Sequence, residues 1–547
     1  MTTPPTSMNT STRAALAVTM LAGFYLLAAT IVLGLLGLDV WLFVATGRLN
    51  PAVLKLYALS AVVAYPVLRV VFLTRRPRHD GPESGLPLTR EEQPELWARI
   101  DRIAERTGVR GPAEVRLVPE VNAGVREDTK LLGLVPGKRH LQIGAPLLLG
   151  LTEAELESVL AHEFGHYSNQ DVKLGAVTRA GRVAVLHTIS TLHRRADQHE
   201  AEEAAELAAK AAKRVAKGRK PSGEKADGGV QRVLAKLFAQ YAKLYFRVSE
   251  SVSRRQEYAA DQVAAKLAGR DATASALRRI PALDAAHDFY LGSYATLGWD
   301  LGLLPPAGQF YGGFAHLLAD PDRRRELADL GMPEDDENPY DSHPPVALRV
   351  AAIEALPADG RDAEGSGPAV ALLRDADRVL AELEIATLVP EAAGMRRTDW
   401  PELVQEVCHA AAREGAQPIL RALTDLGLPG TVEAMADALD AGRGREIADR
   451  LPKSEQAAAA TGRAAREFLR PVLRQGLARI TVLALAEAGV ARWELSWSES
   501  ARFRLPGGAQ EDLTAALDAA VADTTDTAPL RALLAKAGLP AAPATTG

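Results

Sequence analysis

Apolar residues follow three different patterns along the chain. The first is unbroken: from Ala14 to Leu38, 25 residues pass without a charged side chain. As a helix rising 1.5 Å per residue this stretch would measure about 37 Å, more than the roughly 30 Å hydrocarbon core of a bilayer. A secretory leader has a shorter apolar core, more basic residues before it and a small-residue cleavage site after it, so a transmembrane helix is expected instead. A second apolar stretch, Leu54 to Leu73, holds Lys55 and Arg69 near its ends, where long side chains can reach the interface, and is read as a second span. Arg75, Arg76 and Arg78 follow it, whereas Asp39 to Asn50 offers only Arg48 as a base. That bias predicts an integral protein of the cell membrane with the rest of the chain facing the cytoplasm.

The second pattern is amphipathic. Leu96, Ile100 and Ile103 recur at helical spacing within Glu91 to Thr107, and Val115 to Val118 and His140 to Ile143 read as short strands around a loop from Asn122 to Lys138. Thr152, followed three residues later by Glu155, is a capping box that opens a helix with the apolar stripe Leu156, Val159 and Leu160. The third pattern, beyond Leu356, is Ala- and Leu-rich and helical, with breaks near Pro390, Pro418 and Pro429, one hairpin from Trp493 to Leu505 and no repeat period. The expected fold is therefore mainly α with a small α+β core. Residues 1–80 form an anchor of two transmembrane helices, 81–356 a central domain with a mobile insertion at about 200–229, and 357–547 a helical accessory domain.

Composition narrows the chemistry. With 47% hydrophobic residues, 24% charged residues and a net charge of −5 over 547 residues, the chain is globular and carries no sign of nucleic-acid binding. Cys408 is the one cysteine, which excludes an intrachain disulfide, a thiolate zinc site and a redox CxxC pair. Any metal must be held by His, Asp or Glu.

The capped helix carries His162-Glu163-Phe164-Gly165-His166, an HExxH pattern. Four residues of helix turn through about 400°, so the two imidazoles project from one face and can reach one ion. Glu163 stands beside that face, where a carboxylate can accept a proton from water that zinc has acidified. A catalytic site needs a third protein ligand. Glu257, 91 residues beyond His166 on a strongly helical segment, is the candidate, and Asp261 lies one turn further on, where it can accept a hydrogen bond from a ligand imidazole.

These residues resemble the HtpX-like membrane-anchored zinc metalloendopeptidases, a family that also includes the CAAX prenyl-protein endopeptidases and the mitochondrial Oma-type proteases. Asn122-Ala123 resembles the family's Asn-Ala segment, and His162 to His166 with Asn169 and Asp171 its HExxHxxNxD element. Glu257-Tyr258 with Ala260-Asp261 resembles its third-ligand helix, and Ser342-His343-Pro344-Pro345 with Arg349 its late Ser/Thr-His-Pro-Pro element. The resemblance covers about residues 90–355. It implies one zinc per chain bound by His162, His166 and Glu257, Glu163 as general base, His343 steadying the oxyanion, and substrate bound beside Asn122. HtpX-like proteins usually place two further spans between the metal helix and the third ligand. Here Arg179, Arg182 and His187 and the charged run from Glu200 to Ala216 occupy that interval, and neither part reads as a span.

Two segments admit more than one use. Gln231 to Val252 repeats Val233, Leu237, Tyr241, Leu244, Tyr245 and Val248 on one face, as a core helix does and as a helix on anionic lipid also does. The aromatic-rich stretch Phe289 to Phe314 suits either a core or an apolar cleft wall. The expected function is a zinc metalloendopeptidase of the bilayer acting on polypeptides, in membrane-protein quality control. The rival is an anchored, noncatalytic scaffold with a structural metal. Two spans are too few to enclose a chamber for prenylated substrates, and the oligomeric state is left open.

Overall fold

The computed structural model describes residues 10–46, 51–73, 85–128, 137–168, 172–217, 229–329, 344–360, 367–452 and 462–539. The chain divides into two compact units, one of Met1–Ala285 with Leu330–Val379, the other of Ala286–Asp329 with Leu380–Gly547. Both units are discontinuous, so the boundary does not fall at residue 356 as the sequence suggests.

In the first unit, α1 (Thr10–Thr46) and α2 (Pro51–Val67) pair with two long helices, α6 (Val172–Val215) and α7 (Gly229–Ala268). Phe24, Ala28 and Val32 of α1 are buried against Leu234, Phe238 and Ala242 of α7 and against Val185 and Leu192 of α6. Phe24 and Phe238 meet edge to face at 5.3 Å, and Tyr241 donates its hydroxyl to the Met20 carbonyl at 2.7 Å. Residues 200–215 continue α6 as helix, which shortens the expected insertion. The face Leu234, Phe238, Ala242 and Tyr245 is the packed one, while Val233, Leu237 and Leu244 are exposed. The face expected from the sequence is thus mostly the open one.

Among the described residues one helix is long and apolar enough to cross a membrane, Val18–Thr46, with a mean hydropathy of 2.2. The second expected span falls short. Its apolar helical stretch is Val53–Tyr65, about 20 Å at 1.5 Å per residue, and α2 passes into a π-helical turn at Leu68–Leu73.

The α+β part holds a four-stranded sheet of order β1-β2-β4-β3, with β1 Leu86–Pro87, β2 Glu114–Val118, β3 Ala123–Glu127 and β4 Arg139–Gly144. β2 and β4 are parallel, and β3 pairs antiparallel with β4 at the sheet edge. The sequence reads β3 as loop, because Ala-Gly-Val-Arg-Glu lacks the branched alternation of its neighbours. Val115, Leu117, Leu141 and Ile143 are fully buried, each such side chain contributing about 2 kcal/mol of apolar burial. α4 (Ala145–Gly150) packs on β4, and α3 (Pro94–Thr107) packs on the helix that follows α4. Then comes α5 (Glu153–Ser168), opened by reciprocal bonds from the Thr152 amide to Glu155 Oε2 at 2.8 Å and from the Glu155 amide to Thr152 Oγ1 at 3.3 Å.

The second unit is helical, with a core of Ile419, Leu423, Met435, Leu477 and Leu517. Tyr290, Phe314, Trp400 and Trp497 form a chain of ring contacts, Tyr290 to Phe314 at 5.7 Å and Trp400 to Trp497 at 5.1 Å. The aromatic stretch after Phe289 is therefore core packing. The hairpin pairs Arg492–Glu494 with Arg502–Arg504, and Trp493 faces Phe503 at 4.8 Å.

Candidate metal centre

Two helices bring the candidate ligands together. α5 presents His162 and His166 one turn apart, their rings 4.8 Å from centroid to centroid. α7 crosses α5 closely because Gly165 has no side chain: a Cβ there would stand 3.0 Å from the Ala260 Cα. That approach carries Glu257, 6% exposed, between the two imidazoles. Its Oε2 lies 3.4 Å from His162 Nε2 and its Oε1 3.6 Å from His166 Nε2.

The ligand atoms of these three residues all fall within 4.8 Å of one another. Ligands held at about 2.1 Å around a tetrahedral ion stand about 3.4 Å apart, so the spacing and the two-nitrogen, one-carboxylate donor set could hold a metal ion.

α7 supplies Asp261 one turn after Glu257. Its Oδ1 lies 2.9 Å from His162 Nδ1, on the ring nitrogen that faces away from the ligand cluster. The helix Val346–Glu354 contributes Arg349, whose guanidinium grips Asp261 with two bonds of 2.6 and 2.8 Å and comes within 3.8 Å of Glu257. Burial disfavours charge on His162, but Asp261 and Glu257 outweigh it and push its pKa up to about 9. Burial likewise opposes ionisation of Asp261, while Arg349 and His162 hold its carboxyl below the ordinary carboxylate range. The surroundings of His162 favour positive charge on its ring.

A cavity of about 280 Å³ opens beside His162 and Glu163. Val121, Leu147, Val159, Leu277, Ile280 and Pro281 give it an apolar lining, to which Asn122 and Ala123 also contribute. At its wall Ser158 donates to Thr273 Oγ1 at 3.0 Å and Thr273 donates to the Gly269 carbonyl at 2.8 Å, so both hydroxyl protons are used inside the protein.

A profile of peptidase family M48 matches residues 91–356. Residues 91–356, just under half of the chain, match this family and resemble the HtpX proteases. It is 31% identical over 199 residues to Protease HtpX of Haemophilus influenzae strain Rd, covering 35% of this chain and 61% of the relative. It is 28% identical over 271 residues to Protease HtpX of Shewanella denitrificans, covering 48% and 75%. With Protease HtpX homolog 1 of Streptomyces coelicolor it shares 30% over 200 residues, covering 36% and 56%. The chain thus spans about three fifths of the length of several HtpX relatives. No solved structure matches it.

Of the residues singled out in the sequence, His162, His166, Glu257 and Asp261 converge, and Glu163 and Asn122 line the adjoining cavity. His343, Asn169 and Asp171 lie outside the described residues. Arg349 enters the sequence reading only as part of a motif, and its bidentate grip on Asp261 has no sequence signal. Tyr167, next to the second histidine, is missed altogether: its hydroxyl donates to the Val125 carbonyl of β3 at 2.8 Å.

Proposed function

We propose that this chain is a membrane-anchored zinc metalloendopeptidase that hydrolyses peptide bonds in polypeptides. The observation that carries the proposal is the meeting of His162, His166 and Glu257 on one point beside a cavity that Glu163 lines. Zinc held by those three side chains would supply a Lewis acid for the scissile carbonyl and a low pKa for the attacking water.

The remaining work falls to residues of the chain. Glu163 takes the proton of the attacking water and delivers it to the leaving nitrogen. Asp261, braced by Arg349, accepts the His162 Nδ1 proton and so keeps Nε2 free as a ligand atom. The edge strand β3 offers the outward backbone groups of Ala123 to an extended substrate near Asn122. The apolar cavity suits an aliphatic or aromatic side chain beside the scissile bond. The role of His343 at the oxyanion is carried as part of the same proposal.

On this reading α1 anchors the protein in the cell membrane with α2 as its companion, and the arginines after α2 support a peptidase unit that faces the cytoplasm. Membrane-protein quality control fits an enzyme so placed. The test uses the full chain in nanodiscs, with zinc content measured beside cleavage of casein and of a membrane-protein substrate. One zinc per chain and cleavage by the native chain, lost in Glu163→Gln with zinc retained, are expected. Cleavage at the native rate by Glu163→Gln would end the proposal.

A further inference from the structure

Among the described residues the hydrogen-bond ladder along β3 runs on one side only. Asn122 accepts from the Gly144 amide at 2.7 Å, and the Asp128 amide donates to the Lys138 carbonyl at 2.8 Å. With the register Gly124 to Gln142 and Arg126 to His140 between them, the even-numbered residues face β4. In an antiparallel pair bonded and non-bonded positions alternate, so the backbone groups of Ala123 and Val125 turn outward to the sheet edge. Ala123 lines the same cavity as His162 and Glu163. These outward groups are where an extended peptide would add to the sheet.

One of them is already in use. Tyr167 directly follows His166 on α5, and its hydroxyl donates to the Val125 carbonyl at 2.8 Å. The ring is clamped from the other side by the Arg139 guanidinium, 4.6 Å from its centroid, at the start of β4. We propose that Tyr167 is a strand-stopping residue: by occupying the outward carbonyl of Val125 it confines substrate pairing to the Ala123 end of β3, next to the metal centre. The residue is a positioning group acting through β3, and the proposal rests on the peptidase reading above. Its consequence is a short recognition register on that flank of the scissile bond. Such an enzyme needs only a brief extended segment and accepts cleavage points close to folded or membrane-buried parts of a substrate.

The test methylates the backbone amides of a cleaved peptide one at a time, on both flanks of the scissile bond, with the full zinc-loaded protein. In the native enzyme, methylation of the amide that would face the Val125 carbonyl, two residues beyond the Ala123 pair, should change kcat/KM less than about twofold. Tyr167→Phe removes the hydroxyl and frees the carbonyl. The same methylation should then cost about fivefold, one hydrogen bond's worth, appearing in KM rather than kcat. Superimposable scans for Tyr167→Phe and the native enzyme would overturn the proposal while leaving the peptidase reading intact. A native enzyme that holds zinc and cuts no peptide would remove both. Should Tyr167→Phe fail to fold, the native scan decides alone, because sensitivity two residues beyond the Ala123 pair contradicts a carbonyl that Tyr167 occupies.

Discussion

Two buried carboxylates, Glu257 in the first unit and Glu384 in the second, are 6% and 0% exposed and keep different company. Around Glu257 the neighbours are imidazole nitrogens at 3.4 and 3.6 Å, and the gap they enclose adjoins a cavity. Around Glu384 they are donors already in contact: the Phe310 amide reaches Oε1 at 2.6 Å and Arg397 reaches Oε2 at 2.7 Å. Burial raises the Glu384 pKa, with Arg397 and the backbone donors opposing it. Both sites hold a carboxylate out of water, which is costly without a partner. The second meets the cost with fixed donors that close a turn before Phe310. The first sets its two oxygens against two imidazoles, with Arg349 at 3.8 Å. Burial of a charge therefore does not by itself separate the two carboxylates, whereas the company of two imidazoles on one helical face does.

The contrast can be broken most sharply at Glu163. Replacing it with Gln should lower kcat by about a thousandfold, in the usual range for a general base, with zinc content unchanged by metal analysis. The next effect lies in the second unit. Burial holds the pKa of His287 down to about 4, below the ordinary 6.5, and its ring packs edge to face on Phe314 at 5.2 Å. The unfolded chain binds a proton there that the folded chain refuses, so stability from this group is full above pH 6.5 and falls as pH drops toward 4. The loss is about 3 kcal/mol at most, and urea melts across that range should show it shrinking in His287→Leu. A pH-independent difference between His287→Leu and the native protein would contradict it.

Asp261→Asn should weaken zinc binding by about 10- to 100-fold while leaving the ligand set in place, read by competition with a chelator. The mildest effect is expected at Glu384→Gln, which trades a charged acceptor for a neutral one. It should cost about 1.5 kcal/mol of stability and leave zinc affinity untouched. Zinc loss in that variant would erase the distinction between the two carboxylates.

The reading from sequence was strongest where a pattern is local. The long α1, the capping box at Thr152, the paired histidines on α5 and the hairpin at Trp493 each depend on residues a few positions apart. It failed where the outcome depends on distant packing. β3 is short, half-exposed and held by β4, so its own residues do not announce a strand. The open face of α7 looks apolar in sequence, but Phe24 and Ala28 of α1 select the neighbouring face for burial.

By itself the amino-acid order determined the composition limits on ligand chemistry, the apolar stretch of α1, and that His162 and His166 share one helical face, since each follows from the chemistry or period of a single segment. Tertiary structure alone decided that Glu257 meets both imidazoles across 91 positions and that Arg349 braces Asp261. It also decided that Tyr167 occupies an edge carbonyl. These are contacts between elements, whose approach is set by features such as the bare backbone at Gly165 against Ala260, and no periodicity along one strand or helix encodes them.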